Sequence, residues 1–96
     1  MVVSKEVVIK RKTGLHARPA ALFVQLANRF ESTIEINKNG QKVNGKSIMG
    51  LLMLAAEEGV RLIITAEGND AERAVKELSA MLMDDSEPDF SGNKKK

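Results

Sequence analysis

The chain has 96 residues, 43% of them apolar, three Phe as its only aromatics, no cysteine and a formal net charge of +2. Domains run to roughly 100 to 150 residues, so this length holds one core, built from Val, Ile, Leu, Met and Ala. Disulfides, thiolate metal sites and thiol nucleophiles are excluded, and few aromatics with no zinc ligands give nucleic acid binding little support.

Val2 to Lys10 is rich in β-branched residues and predicts a strand, broken by the basic run Lys10, Arg11, Lys12 and by Gly14. Lysine and glutamate interrupt its valines, unlike the apolar region of a signal peptide, and no apolar run approaches the ~20 residues of a membrane span. A cytoplasmic protein without membrane insertion is therefore expected. From Ala17 the spacing becomes helical, with Phe23, Leu26, Ala27 and Phe30 on one face up to about Phe30. Ile34 and Ile36 alternate with polar residues, Asn39-Gly40 supplies a two-residue hairpin turn, and Val43 resumes the alternation. Ser47 then caps a short helix over I-M-G-L-L-M-L-A-A, which Gly59 is expected to stop. That helix is apolar nearly all round, with Ile48, Leu51 and Ala55 on one face and Met49, Leu52, Met53 and Ala56 on another. It is either fully buried or exposes one face to a partner.

Arg61 to Glu67 predicts a half-buried strand with Leu62, Ile64 and Ala66 inward. Asn69 and Glu72 form a capping-box-like start to a last helix whose apolar face is Ala71, Ala74, Val75, Leu78, Met81 and Leu82. The order is strand, helix, strand, strand, helix, strand, helix, which predicts an α+β two-layer sandwich. One domain over residues 1–83 is expected. The stretch from Asp84, acids followed by three lysines, reads as a disordered tail.

The only histidine stands in T-G-L-H-A-R-P-A. Proline is tolerated in the first turn of a helix, so Pro19 places the helix start just before itself and His16 at or near the N-cap. Arg18 precedes proline and is biased away from helical geometry, which predicts an irregular start. A helix N-terminus presents free N–H donors and a positive field, here at Ala17 and Arg18, and the Arg18 guanidinium suits phosphate oxygens. That field favours a neutral, nucleophilic imidazole. The chemistry points to a phosphoryl group taken up by His16 and held by Ala17 and Arg18, since positioning and charge stabilisation are most of what phosphoryl transfer needs. A plain capping or surface histidine is the alternative. No second histidine or cysteine completes a transition-metal site and no nucleophile elbow is evident, so no metal or cofactor is expected. Ser47 caps its helix. A phosphate there would meet a helix N-terminus and Lys46 while adding about two negative charges to the neighbouring surface.

G-L-H-A-R-P-A, followed by N-G-K-S-I-M-G-L-L-M-L-A, resembles HPr, the histidine-containing phosphocarrier family of the bacterial phosphoenolpyruvate-dependent sugar phosphotransferase system, over about residues 2 to 83. The resemblance implies an open-faced β-sandwich, four antiparallel strands covered on one face by three helices. It implies that phosphorylated enzyme I donates to Nδ1 of His16 with Arg18 assisting, and that enzyme IIA domains receive the group. The chain would then be a phosphoryl carrier and not a classical enzyme. It further implies regulatory phosphorylation of Ser47 by an HPr kinase/phosphorylase, action on a transcriptional regulator, and an apolar docking patch of Leu15, Met49 and Leu52. The N-G-K-S-I-M-G form also resembles regulatory paralogues, nitrogen-type or Ser47-switched, that act by protein interaction and not by sugar uptake. From size and solubility a monomer is expected.

Overall fold

The computed structural model describes residues 1–10 and 14–83; Arg11, Lys12, Thr13 and the tail from Asp84 lie outside the described residues. Four strands, β1 (Val2–Val8), β2 (Thr33–Lys38), β3 (Gln41–Asn44) and β4 (Arg61–Glu67), form one antiparallel sheet in the order β1-β4-β2-β3. Three helices, α1 (Ala17–Ala27), α2 (Ile48–Leu54) and α3 (Ala71–Met83), cover one face. The helix α3 lies over β1 and β4, α2 lies over β3, and α1 touches both other helices. This is the α+β two-layer sandwich that the element order predicts, in the open-faced form that the resemblance implies.

The register puts the alternating apolar residues on the covered face. Val7 pairs with Leu62, Ile36 with Ile64, Ile34 with Ala66, and Val43 with Ile36. Leu62, Ile64 and Ala66 of the central strand are fully buried, beneath Phe23 and Ala27 of α1, Leu51 and Leu54 of α2, and Leu78 and Leu82 of α3. The other face carries Ser4 and Thr65, whose hydroxyls bond at 2.9 Å, and the solvated pair Glu6–Arg61. The β2–β3 turn has Asn39 and Gly40 both left-handed, with φ of 52° and 89°, as a twisted hairpin requires.

Several boundaries differ from the sequence expectation, each because another segment captures the backbone. The first strand ends at Val8 because Ile9 bonds the Gly59–Val60 turn and the Lys10 N–H donates to Leu82 O at 3.1 Å. α1 ends at Ala27, three residues early. The Arg29 and Phe30 N–H groups donate to carbonyls three residues back, and Lys46 Nζ donates to Phe30 O at 2.7 Å. α2 stops at Leu54 on a left-handed Ala55, φ 50°, well before Gly59. Ala55 is consequently exposed, and the buried side of α2 is Leu51 and Leu54. Met81 is only partly buried, whereas Ser79 is buried with its hydroxyl donating to Val75 O.

The capping box at Asn69 does not form. α3 starts at Ala71, the Asp70 carbonyl accepts from Ala74 N–H at 2.9 Å, and the Asp70 carboxylate is bound across the molecule. It accepts the Ser32 hydroxyl at 2.6 Å, the Glu31 N–H at 2.9 Å and the Ser32 N–H at 3.0 Å, tying the start of α3 to the entry of β2. The Ser32 hydroxyl first, then the Glu31 N–H, hold the Asp70 carboxyl below its ordinary value, against a smaller opposing effect of burial. A carboxylate with a depressed folded value contributes stability that is present above the unfolded value and lost as pH falls through the folded one. Melting temperature should therefore drop more steeply for the native chain than for Asp70→Asn on acidification below about pH 4, the ordinary aspartate value. Parallel acid profiles would contradict this role.

Candidate functional site

The approach to His16 is set by Gly14. Its φ of +71° is left-handed, and a Cβ there would lie 2.6 Å from Ala56 O and 2.9 Å from Glu57 Cα, so only glycine lets the chain pass so close to the end of α2. One residue on, the Leu15 N–H donates to Ala56 O at 2.8 Å, and the Leu15 side chain is buried at 5% exposure. His16 then stands exposed at the N-cap of α1 in an extended conformation. Its carbonyl accepts the Ala20 N–H at 2.8 Å, the first bond of the helix.

The ring of His16 makes no capping hydrogen bond, so its backbone holds the cap position while the imidazole remains outside that role. Ala17 and Arg18 occupy the first two helical positions and are exposed; Pro19 is third and buried. Arg18 is thus inside the helix despite preceding proline, and the irregular start is not seen. Nothing is lost at Pro19, because the third N–H of a helix has no intrahelical acceptor. The N-terminal donors that α1 directs past His16 are those of Ala17 and Arg18, where the helix field is positive.

A shallow pocket beside the ring is lined by Leu15, His16, Leu52, Ala55, Ala56 and Glu57. The structure therefore joins Leu15 and His16 to the carboxyl end of α2, with Ala17 and Arg18 following His16 in the helix. Ser47 sits at the opposite end of that helix, ~10 Å away along seven residues at 1.5 Å each. Its hydroxyl accepts the Gly50 N–H at 3.0 Å, an ordinary N-cap. Between the two ends, Met49 and Met53 are each 67% exposed and Ile48 41%, with Leu52 half-buried. Among the docking residues that the resemblance implies, Met49 offers surface and Leu52 offers part of it. Leu15 does not: it belongs to the core and forms the floor of the pocket. Met53 was not singled out for that patch, although its i+4 spacing from Met49 was readable. No group of three His, Cys, Asp or Glu among the described residues could hold a metal ion, and no helix of the described residues is long and apolar enough to cross a membrane.

The family described as "PTS HPr component phosphorylation site" matches residues 3–84. An HPr-like protein Crh from Halalkalibacterium halodurans is 56% identical over 81 residues, 84% of this chain and 96% of the relative. The phosphocarrier protein HPr of Bacillus anthracis superposes with a TM-score of 0.83 at 52% identity, covering 85% of this chain and 98% of that one. Crh of Bacillus subtilis, described as a catabolite repression protein that forms a dimer with a swapped domain, superposes with a TM-score of 0.69 at 50% identity, covering 83% and 92%. The chain belongs to the HPr family of phosphocarrier proteins.

Gly14→Ala should destabilise the fold by about 2 kcal/mol, within the range for a left-handed non-glycine residue meeting backbone, measured by urea denaturation. Unchanged stability would show that the approach of Gly14 to Ala56 is not required.

Proposed function

We propose that His16 accepts a phosphoryl group from phosphorylated enzyme I and passes it to enzyme IIA domains of the phosphotransferase system. The observation that carries this reading is the exposed His16 at the N-cap of α1, whose ring makes no capping hydrogen bond, with Ala17 and Arg18 in the first two helical positions after it. An imidazole nitrogen, Nδ1 by family resemblance, forms a bond to phosphorus as the bond from phosphorus to the donor breaks and its electrons leave on the donor. The first-turn N–H groups and the guanidinium hold the phosphoryl oxygens. The acceptor attacks phosphorus in the next step as the bond from phosphorus to nitrogen breaks, and the free imidazole is regenerated. The turn of α2 at Ala55–Ala56 limits access on one side, and the exposed methionines suit docking of several partners.

A second reading is favoured by the similarity to the two Crh proteins, one of them described as a catabolite repression protein. In it, an HPr kinase/phosphorylase modifies Ser47, and the chain acts on a transcriptional regulator without feeding sugar uptake. A phosphate on Ser47 would lie at the start of α2, beside exposed Ile48 and Met49, and would change what that face can bind. His16 and Ser47 are separate residues near the two ends of α2, so both readings can hold in the same molecule.

The expectation of a simple monomer gives way to a monomer–dimer equilibrium, since the Bacillus subtilis relative is a dimer with a swapped domain. Light scattering over a range of concentrations should show a mass that rises with concentration. A constant monomer mass would remove the dimer.

Incubation with phosphoenolpyruvate and enzyme I should give acid-labile, base-stable phosphate that mass mapping places on His16 and that His16→Ala abolishes. Label retained in His16→Ala would overturn the assignment. With ATP and a cognate kinase the label should be acid-stable and lost in Ser47→Ala; a native chain left unlabelled would remove the Ser47 switch. Passage of phosphate from His16 to a sugar-transporting enzyme IIA separates the sugar carrier from the regulatory paralogue.

A further inference from the structure

A side chain of the β2–β3 hairpin with no assigned role reaches the carboxyl end of α2. Lys38, the last residue of β2, extends its ammonium to donate to Leu54 O at 2.8 Å, the final carbonyl of α2. The base of this contact is rigid: Lys38 pairs with Gln41, and the Gly40 N–H donates to Asn37 Oδ1 at 2.8 Å across the turn. Its far end is the strained part of the site. Directly after Leu54, Ala55 is left-handed at φ 50°, a conformation unfavourable for alanine, and then Ala56 O receives the Leu15 N–H. The path from sheet to imidazole is Lys38, Leu54 O, Ala55, Ala56 O, Leu15 N–H and His16.

Charge adds a second reason. The carboxyl end of a helix carries about half a negative charge, and the residues that follow α2 line the pocket with His16. An unopposed negative pole there would repel a phosphoryl group on the ring, and an ammonium on its last carbonyl offsets it.

We propose that Lys38 is a positioning residue for phosphoryl transfer at His16. It holds the left-handed turn against which Leu15 and His16 are set, and it offsets the negative pole of α2 facing the phosphoryl group. The proposal rests on the phosphocarrier reading, and its test separates the two.

Three measurements on Lys38→Met and Lys38→Arg decide it: phosphorylation of His16 by the small donor phosphoramidate, kcat and KM with phosphorylated enzyme I, and amide hydrogen exchange at Leu15. Lys38→Met should lose roughly tenfold in rate with phosphoramidate, inside the ~100-fold that a misplaced reacting group can cost. With enzyme I the loss should fall on kcat and leave KM unchanged, because Met49 and Met53 are untouched. Leu15 exchange should quicken, and Lys38→Arg should restore all three. If Lys38→Met unfolds, Lys38→Gln, which keeps a donor without the charge, replaces it. A variant with lower melting temperature but native Leu15 exchange and native His16 reactivity would overturn the proposal. A native chain phosphorylated by phosphoramidate but not by enzyme I would overturn the carrier reading alone, with the Lys38 comparison still read from phosphoramidate and exchange.

Discussion

One backbone hydrogen bond, from the Leu15 N–H to Ala56 O at 2.8 Å, joins the start of α1 to the end of α2, and the site depends on it. Gly14 makes the bond possible by passing within a distance no Cβ would allow. The bond in turn requires the chain to turn sharply after Leu54, which it does through a left-handed alanine. Burial of Leu15 and Ala56, at 5% and 2% exposure, fixes both partners in the core, so the geometry around His16 is inherited from packing and not from a flexible loop.

This junction brings two helix ends of opposite polarity to one place. The amino end of α1 would offer N–H donors to an anion on His16, and the carboxyl end of α2, whose last carbonyl accepts from Lys38, carries the opposite pole. The amino end of α2 bears Ser47, and the exposed side of the same short helix bears Met49 and Met53. A partner docked on those methionines would contact the region of both sites. A charge placed at Ser47 would therefore alter the surface beside Ile48 and Met49.

Much of this was legible in the residues. The β4 alternation, the Asn39-Gly40 hairpin, the Ser47 cap and the start of α1 just before Pro19 are local signals, and the structure has each where the pattern places it. The features not legible are those decided across the molecule. Ala55 carries no left-handed signature, and the carbonyls on either side of it are bonded by Lys38 and Leu15 from distant segments. Asp70 displaced the predicted box at Asn69 because its carboxylate is used by Glu31 and Ser32, 38 to 39 residues away. Leu15 looked like surface beside a reactive histidine and is core, because the bond to Ala56 turns its side chain inward.

The central claim is that a phosphoryl group on His16 is held by the first turn of α1. The most direct measurement compares amide proton and nitrogen shifts of the native chain before and after phosphorylation by phosphoenolpyruvate and enzyme I. The account predicts that the largest changes fall on Ala17 and Arg18, with smaller ones at Ala55 and Ala56 and none in α3. Phosphorylated protein whose Ala17 and Arg18 amides are unmoved, or whose changes centre on another residue, would contradict it.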